Sequence, residues 1–241
     1  MLVTTEAIVL SKINYSETSL IVRCYTLSDG LKSYIVKGSK QGRNGKKNAA
    51  LFQPLNQLEI TSQHKAKSIL SISKSTKICN PYQTIPYAMN KLSVVLFLSE
   101  ELTSDIKEQE ANQPLFHYLS KSLYWFDVQD NIANFHIFFL LCLTKHLGFF
   151  PDVNHQNLPY FDLENGCFTA HKSEHLVDDA TLVSVLKSYL GTTFDELSEV
   201  LVSKQIRKQL LEILMKYYHC LLYTSDAADE RSSVDLGGRR I

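Results

Sequence analysis

Apolar and polar positions alternate in short runs over the first 80 residues. Glu6–Leu10, Ser19–Thr26, Leu31–Lys37, Leu55–Thr61 and Ser68–Ser73 are β-rich and bounded by turn residues, so each predicts a strand. In the second run Leu20, Val22 and Cys24 point one way while Ile21, Arg23 and Tyr25 point the other. Asp29-Gly30 between the second and third runs predicts a hairpin. Five short antiparallel strands suit a small barrel, and the OB-fold is the common five-stranded version that takes oligonucleotides.

From Pro86 the apolar period becomes helical. A first helix is expected over Ala88–Lys107 with Leu92, Val95, Leu96 and Leu102 on one side. A second starts near Pro114 and carries Leu115, Leu119, Leu123 and Phe126. Ile132–Leu147 is apolar nearly all round and stops at Gly148, so it is expected at the centre of a bundle. Asn165-Gly166, between Tyr160–Leu163 and Cys167–Thr169, predicts an inserted hairpin. Helices then resume. Asp178 or Asp179 caps Ala180–Leu190, and Gly191 closes it. Thr193 and Glu196 have capping-box spacing, and Ser203 precedes a last helix through Ile206, Leu210, Leu214 and Tyr217. The expected fold is α+β: a five-stranded OB-fold barrel over residues 1–80, then a helical domain over 81–219 with a hairpin inserted at about 152–175.

Residues 220–241 depart from this pattern. Cys220–Glu230 back-translates to the mosaic end and adapter of transposase-made sequencing libraries, and Val234–Ile241 to the flow-cell adapter that follows. The stretch is read as translated adapter rather than a genuine disordered tail and set aside, so the natural C-terminus is expected to be missing.

Composition narrows the class. No stretch reaches the roughly 18 unbroken apolar residues of a membrane span, and Glu6 stands where a signal peptide would need a basic leader. The 5 cysteines are odd in number and lack any CxxC pair, as expected of reduced thiols in a cytosolic protein. The net charge of zero hides an asymmetry. Residues 1–80 hold 12 Lys and Arg against 4 Asp and Glu; residues 81–219 hold 10 against 17. Such a split suggests a polyanion-binding module beside an acidic one, although solvated faces that merely differ in charge would look the same.

The richest chemistry lies between the third and fourth strands. Gly38–Lys47 has four basic residues, three glycines and no acid, so it is expected to be an exposed loop. Lys37, Lys40, Arg43, Lys46 and Lys47 are spaced to neutralise successive phosphates, or else to form a solvated turn. Tyr25 and Tyr34 are candidates for base stacking, with barrel packing the commoner fate of such residues. Gly42–Lys47 is not a P-loop: the glycine gap, the following Ser/Thr and the helix are wrong. Cys167, His171 and His175 recur every four residues with His155 upstream, but a zinc site wants closely paired cysteines, so no metal is expected. No nucleophile elbow, zincin motif or activated cysteine pattern occurs, and neither catalysis nor a cofactor is expected.

Several short motifs follow one another in a telling order. Glu6–Leu10, Tyr15–Val22, Tyr25–Leu31 and Val36–Lys40 resemble the start of the RecO family, and Leu147-Gly148-Phe149-Phe150-Pro151 resembles its L-G-x-x-P step. The resemblance spans residues 1–219. It implies a non-enzymatic recombination mediator of the bacterial cytoplasm and nucleoid. Such a mediator binds single- and double-stranded DNA and anneals complementary strands. It engages the C-terminal tail of the single-stranded-DNA-binding protein through its helical domain, and loads a recombinase together with RecR. The resemblance makes Arg23, Lys37, Lys40, Arg43, Lys46 and Lys47 the DNA-contact candidates. Many members carry a four-cysteine zinc ribbon after the L-G-x-x-P step. Here only Cys167 remains, so a zinc-free remnant held by Tyr160, Phe161, Leu163 and Phe168 is expected. The alternative is a protein-interaction adaptor whose barrel is only structural.

Overall fold

The alternating strands close on themselves. The structure, a computed structural model, describes residues 2–38, 50–63, 70–107 and 110–235, with side chains described as far as Leu222. β1 (Leu2–Asn14), β2 (Leu20–Thr26), β3 (Gly30–Val36), β4 (Gln57–Gln63) and β5 (Leu70–Asn80) form a closed barrel in the order β1-β2-β3-β5-β4. β1 reaches both neighbours because it is long: Leu2–Ile8 pairs with β4, while Ala7–Asn14 pairs with β2 across a register shift between Val9 and Ser11. The β3–β5 pair is parallel and completes the barrel. β1 and β5 run well past the expected segments at ends that are mostly exposed, where Leu2, Ile13 and Ile78 stand among polar residues without a regular alternation. Ala7, Val9, Leu20, Val22, Cys24, Tyr34, Val36, Phe52, Leu58 and Ile60 fill the interior.

The chain divides into two compact units, residues 1–130 and 131–241. The first unit contains the barrel with α1 (Met89–Asp105) and α2 (Gln113–Val128). Its compact limit therefore falls beyond the strand-to-helix change at residue 80. Asn112 caps α2 by accepting from the Leu115 backbone N–H at 3.0 Å. The buried side of α1 is Lys91, Val95, Leu98, Ser99 and Leu102, whereas Leu96, expected inward, is half exposed.

Polar groups hold these helices in place. The Asp127 carboxylate accepts from the backbone N–H groups of Gln83, Thr84 and Ile85 at 2.6, 2.9 and 2.9 Å. Lys91 Nζ donates to the Asp127 carbonyl at 2.7 Å and to Thr84 Oγ1 at 2.6 Å, which explains a buried lysine on α1. Gln57 on β4 bonds Tyr82, Asn80 and Ser120 of α2, linking strand to helix.

The second unit is built on α3 (Phe135–Leu147), α4 (Ala180–Leu190) and α5 (Lys204–Asp235), with a 3-10 turn at Leu197–Glu199. α3 is buried on nearly every side and ends at Gly148, whose φ of 87° is left-handed. Asp179 caps α4 by accepting from Thr181 and Leu182. α5 runs through the segment set aside as adapter as far as Asp235; its composition there, with Ala227, Ala228 and Glu230 and no Gly or Pro before Gly237, favours helix.

The inserted strands β6 (Tyr160–Asp162), β7 (Cys167–Thr169) and β8 (Leu176–Val177) form a small sheet in the order β7-β6-β8. Aromatic packing holds it. Phe161 meets Phe168 and Tyr217 at centroid distances of 5.1 and 5.7 Å, and the Tyr217 hydroxyl donates to the Phe149 carbonyl at 2.5 Å. Phe161, Leu163 and Phe168 are buried as expected of a remnant; Tyr160 is only half buried.

Candidate nucleic-acid interface

Inside the barrel the chain leaves β3 through Val36 and enters a turn at Lys37-Gly38. Gly38 has φ of +67°, a left-handed conformation that glycine adopts without strain, and nothing lies within 4 Å of its would-be Cβ. The chain is picked up again at Ala50, where Asn56 Nδ2 donates to the carbonyls of Leu51 at 2.8 Å and Ala50 at 3.4 Å. Leu55 follows in the left-handed region with φ of 58°, an unfavourable state for leucine. It is held by its N–H donating to the Val9 carbonyl at 2.7 Å and its carbonyl accepting from the Tyr82 hydroxyl at 2.8 Å.

These two loop ends frame an open groove of about 470 Å³ at the barrel mouth. It is lined by Val36, Lys37, Leu51, Phe52, Ser73, Lys74, Ser75 and Thr76. Both charged residues in that lining are lysines, and the hydroxyls of Ser73, Ser75 and Thr76 add donors that suit phosphate oxygens. Close by, Lys12 Nζ reaches Gln53 Oε1 at 3.4 Å, and burial lowers its pKa. Tyr15, in the turn after β1, is an exposed ring of the kind bases stack on.

The expected site residues are placed unequally. Lys37 is exposed in the groove lining. Lys40, Arg43, Lys46 and Lys47 lie outside the described residues. Arg23 is committed elsewhere: Nη1 donates to the Thr103 carbonyl at 3.2 Å and Nη2 to that of Ile106 at 3.4 Å, at the C-terminal end of α1. Neither expected tyrosine offers a face to bases. Tyr25 is fully buried, stacks near Phe116 at 6.5 Å and donates to the Asn112 carbonyl, and Tyr34 is in the barrel core. Sequence reading passed over Lys74 and Tyr15. Lys74 lies on β5 at a register shift, where Ser73 pairs with Ser62 and Ser75 with Thr61, so strand alternation does not announce it.

Other chemistry is sparse. Among the described residues no group of three or more His, Cys, Asp or Glu is placed to hold a metal. His175 pairs with Glu164 at 3.2 Å, and Cys167 lies in the small sheet. Burial raises the thiol pKa values of Cys24, Cys79 and Cys167, and pushes that of Cys142 up to about 11, away from nucleophilic thiolates. No described helix is long and apolar enough to cross a membrane.

Two family models match the chain nearly end to end: recombination protein O N terminal over residues 1–82, and recombination protein O C terminal over residues 87–226. The chain belongs to the recombination protein O family. The break between the two family models falls where strand pattern gives way to helix, while the compact unit extends to residue 130. Among similar curated proteins, the DNA repair protein RecO of Christiangramia forsetii is 43% identical over 218 residues, covering 90% of this chain and 91% of the relative. That of Flavobacterium johnsoniae is 42% identical over 239 residues and 98% of both chains. That of Phocaeicola vulgatus is 32% identical over 224 residues, 90% of this chain and 91% of its own. The barrel with its basic mouth thus falls in the N-terminal family model, and the helices with their small inserted sheet fall in the C-terminal one.

Proposed function

We propose that this member of the recombination protein O family acts in DNA repair as a non-enzymatic recombination mediator in the bacterial cytoplasm, at the nucleoid. It binds single- and double-stranded DNA at the barrel mouth and anneals complementary strands. With RecR it helps to load a recombinase onto DNA coated by the single-stranded-DNA-binding protein, whose C-terminal tail docks on the helical part. Family membership over nearly the whole chain supports the repair role. The observation that carries the DNA site is the groove at the barrel mouth, where Lys37 and Lys74 are the charged lining residues. Lys40, Arg43, Lys46 and Lys47, which lie outside the described residues, are proposed as further phosphate contacts on the strength of their sequence; Arg23, bound to carbonyls of α1, supports the barrel.

Anisotropy of a labelled single-stranded oligonucleotide across a salt series tests this. Affinity should fall linearly in log–log form, and Lys37→Gln with Lys74→Gln should reduce the slope by about 2. Affinity that ignores salt would remove the phosphate-binding site. It would leave the adaptor reading, in which the barrel is structural.

A further inference from the structure

The outside of the barrel carries a row of isoleucines in register. Ile13 pairs with Ile21, Ile21 with Ile35, and Ile35 with Ile72, so one isoleucine stands on each of β1, β2, β3 and β5. Cross-strand partners share a face. That face is the outer one, because the alternating neighbours Leu20, Val22, Tyr34 and Val36 are core residues. Ile13 is 61% exposed and Ile72 46% exposed. Adjacent strands lie about 4.8 Å apart, so the row makes a continuous aliphatic strip about 14 Å long. Such contiguity on an outer barrel wall differs from the scattered exposed apolar residues of ordinary surfaces.

Its surroundings select the occupant. Lys37, in the turn after β3, and Lys74, at a register shift of β5, each come two residues after an isoleucine of the row and line the basic groove. Tyr15, 60% exposed, follows Ile13 by two. Glu17 lies in the same turn and is the acid of that loop. The far end of the outer β2 face is covered, since Arg23 and Tyr25 bond backbone of α1 and of the segment entering α2. A second copy docked through the strip would set lysines against lysines. A polyanion with apolar faces matches both the charge and the strip, and a single strand of DNA has both: phosphates for the groove and unpaired bases for the isoleucines and Tyr15. A duplex offers the same phosphates but keeps its bases paired and stacked.

We infer that the Ile13–Ile21–Ile35–Ile72 strip is the surface that tells single-stranded from double-stranded DNA, a reading that rests on the DNA-binding role proposed above. The groove lysines serve both forms, and the strip serves only the unpaired one. The test compares the full chain with Ile13→Thr/Ile72→Thr, which keeps β-branched side chains on exposed strand positions. The probes are labelled oligothymidylate and a hairpin duplex at one salt concentration. The variant should bind the single strand about tenfold more weakly, with duplex affinity within about twofold. Lys37→Gln/Lys74→Gln, as a second variant, should weaken both. Equal loss on both probes, or no loss on either, overturns the inference while the DNA-binding role stands; the second outcome points to an apolar protein surface as occupant. If the unaltered chain binds neither probe, the DNA-binding role fails and this inference with it. A thermal melt of each variant separates lost affinity from lost folding.

Discussion

In the barrel-containing unit, helices are fastened by buried polar groups; in the second unit, by aromatic rings. Asp127 satisfies three backbone N–H groups at once, Lys91 donates to the Asp127 carbonyl, and Gln57 links β4 to α2. In the second unit Phe149, Tyr217, Tyr218 and Phe161 pack edge to face, Phe168 packs tilted on Phe161, and Tyr217 and Tyr218 each donate to a carbonyl. The difference follows from what each must cover. The helices of the first unit bury apolar side chains such as Val95, Leu98 and Phe126 as well, and the polar groups buried with them, Lys91 and Asp127, are held by hydrogen bonds. A small insert without metal ligands has only its own side chains to anchor it, and rings supply the most buried area per residue.

The strongest way to break the first arrangement is Asp127→Ala. It leaves three N–H groups without their acceptor and removes the carboxylate charge near Lys91, whose bond to the backbone carbonyl remains, and should cost about 3–5 kcal/mol in a urea melt. The same residue sets a pH dependence. Burial would raise its pKa, but hydrogen bonds from Gln83, Ile85 and Thr84 outweigh this and hold it below the ordinary carboxylate value. With the folded pKa depressed, its stabilisation is present above the unfolded value near 3.9 and is lost as pH falls through the folded value. Stability that drops in acid for the unaltered chain, but much less for the alanine variant, would bear this out.

Gly166→Ala probes the second arrangement at a smaller cost. Gly166 has φ of +62°, and an added Cβ would lie 2.5 Å from the Tyr217 hydroxyl. Strain and clash together should cost about 2 kcal/mol in the melt of the second unit. Treating the unaltered chain with a zinc chelator should leave that melt unmoved, since rings rather than a metal hold the sheet; a chelator-sensitive melt would contradict this.

The smallest effect sharpens the boundary between support and contact. Arg23→Gln should cost about 1–2 kcal/mol through its lost bonds to the Thr103 and Ile106 carbonyls. DNA affinity at fixed salt should stay within about twofold. A large affinity loss without a change in melt would return Arg23 to the phosphate contacts.

Strand alternation, the helical period and the caps were all visible in the residue order. Asp29-Gly30, Gly148, Asn165-Gly166 and Asp179 act where they were expected, because each meets a local need: positive φ at Gly30, Gly148 and Gly166, and a free N–H at the start of α4. Lys37 at the mouth was legible for the same reason, since a basic residue beside a glycine turn reaches solvent in most folds. Long-range partners were not legible. Arg23 and Lys37 look alike in sequence, yet α1 arrives over one and not the other. Lys91 has the composition of a solvated position and is buried because Asp127, far along the chain, offers its carbonyl. The isoleucine strip needs four strands in one register, and Ile13, Ile21, Ile35 and Ile72 share no local pattern that announces it. Local chemistry decided what each segment becomes, because dihedral preference and period act within a few residues. Barrel closure decided which side chains meet, because pairing distant strands places residues that sequence separation keeps apart.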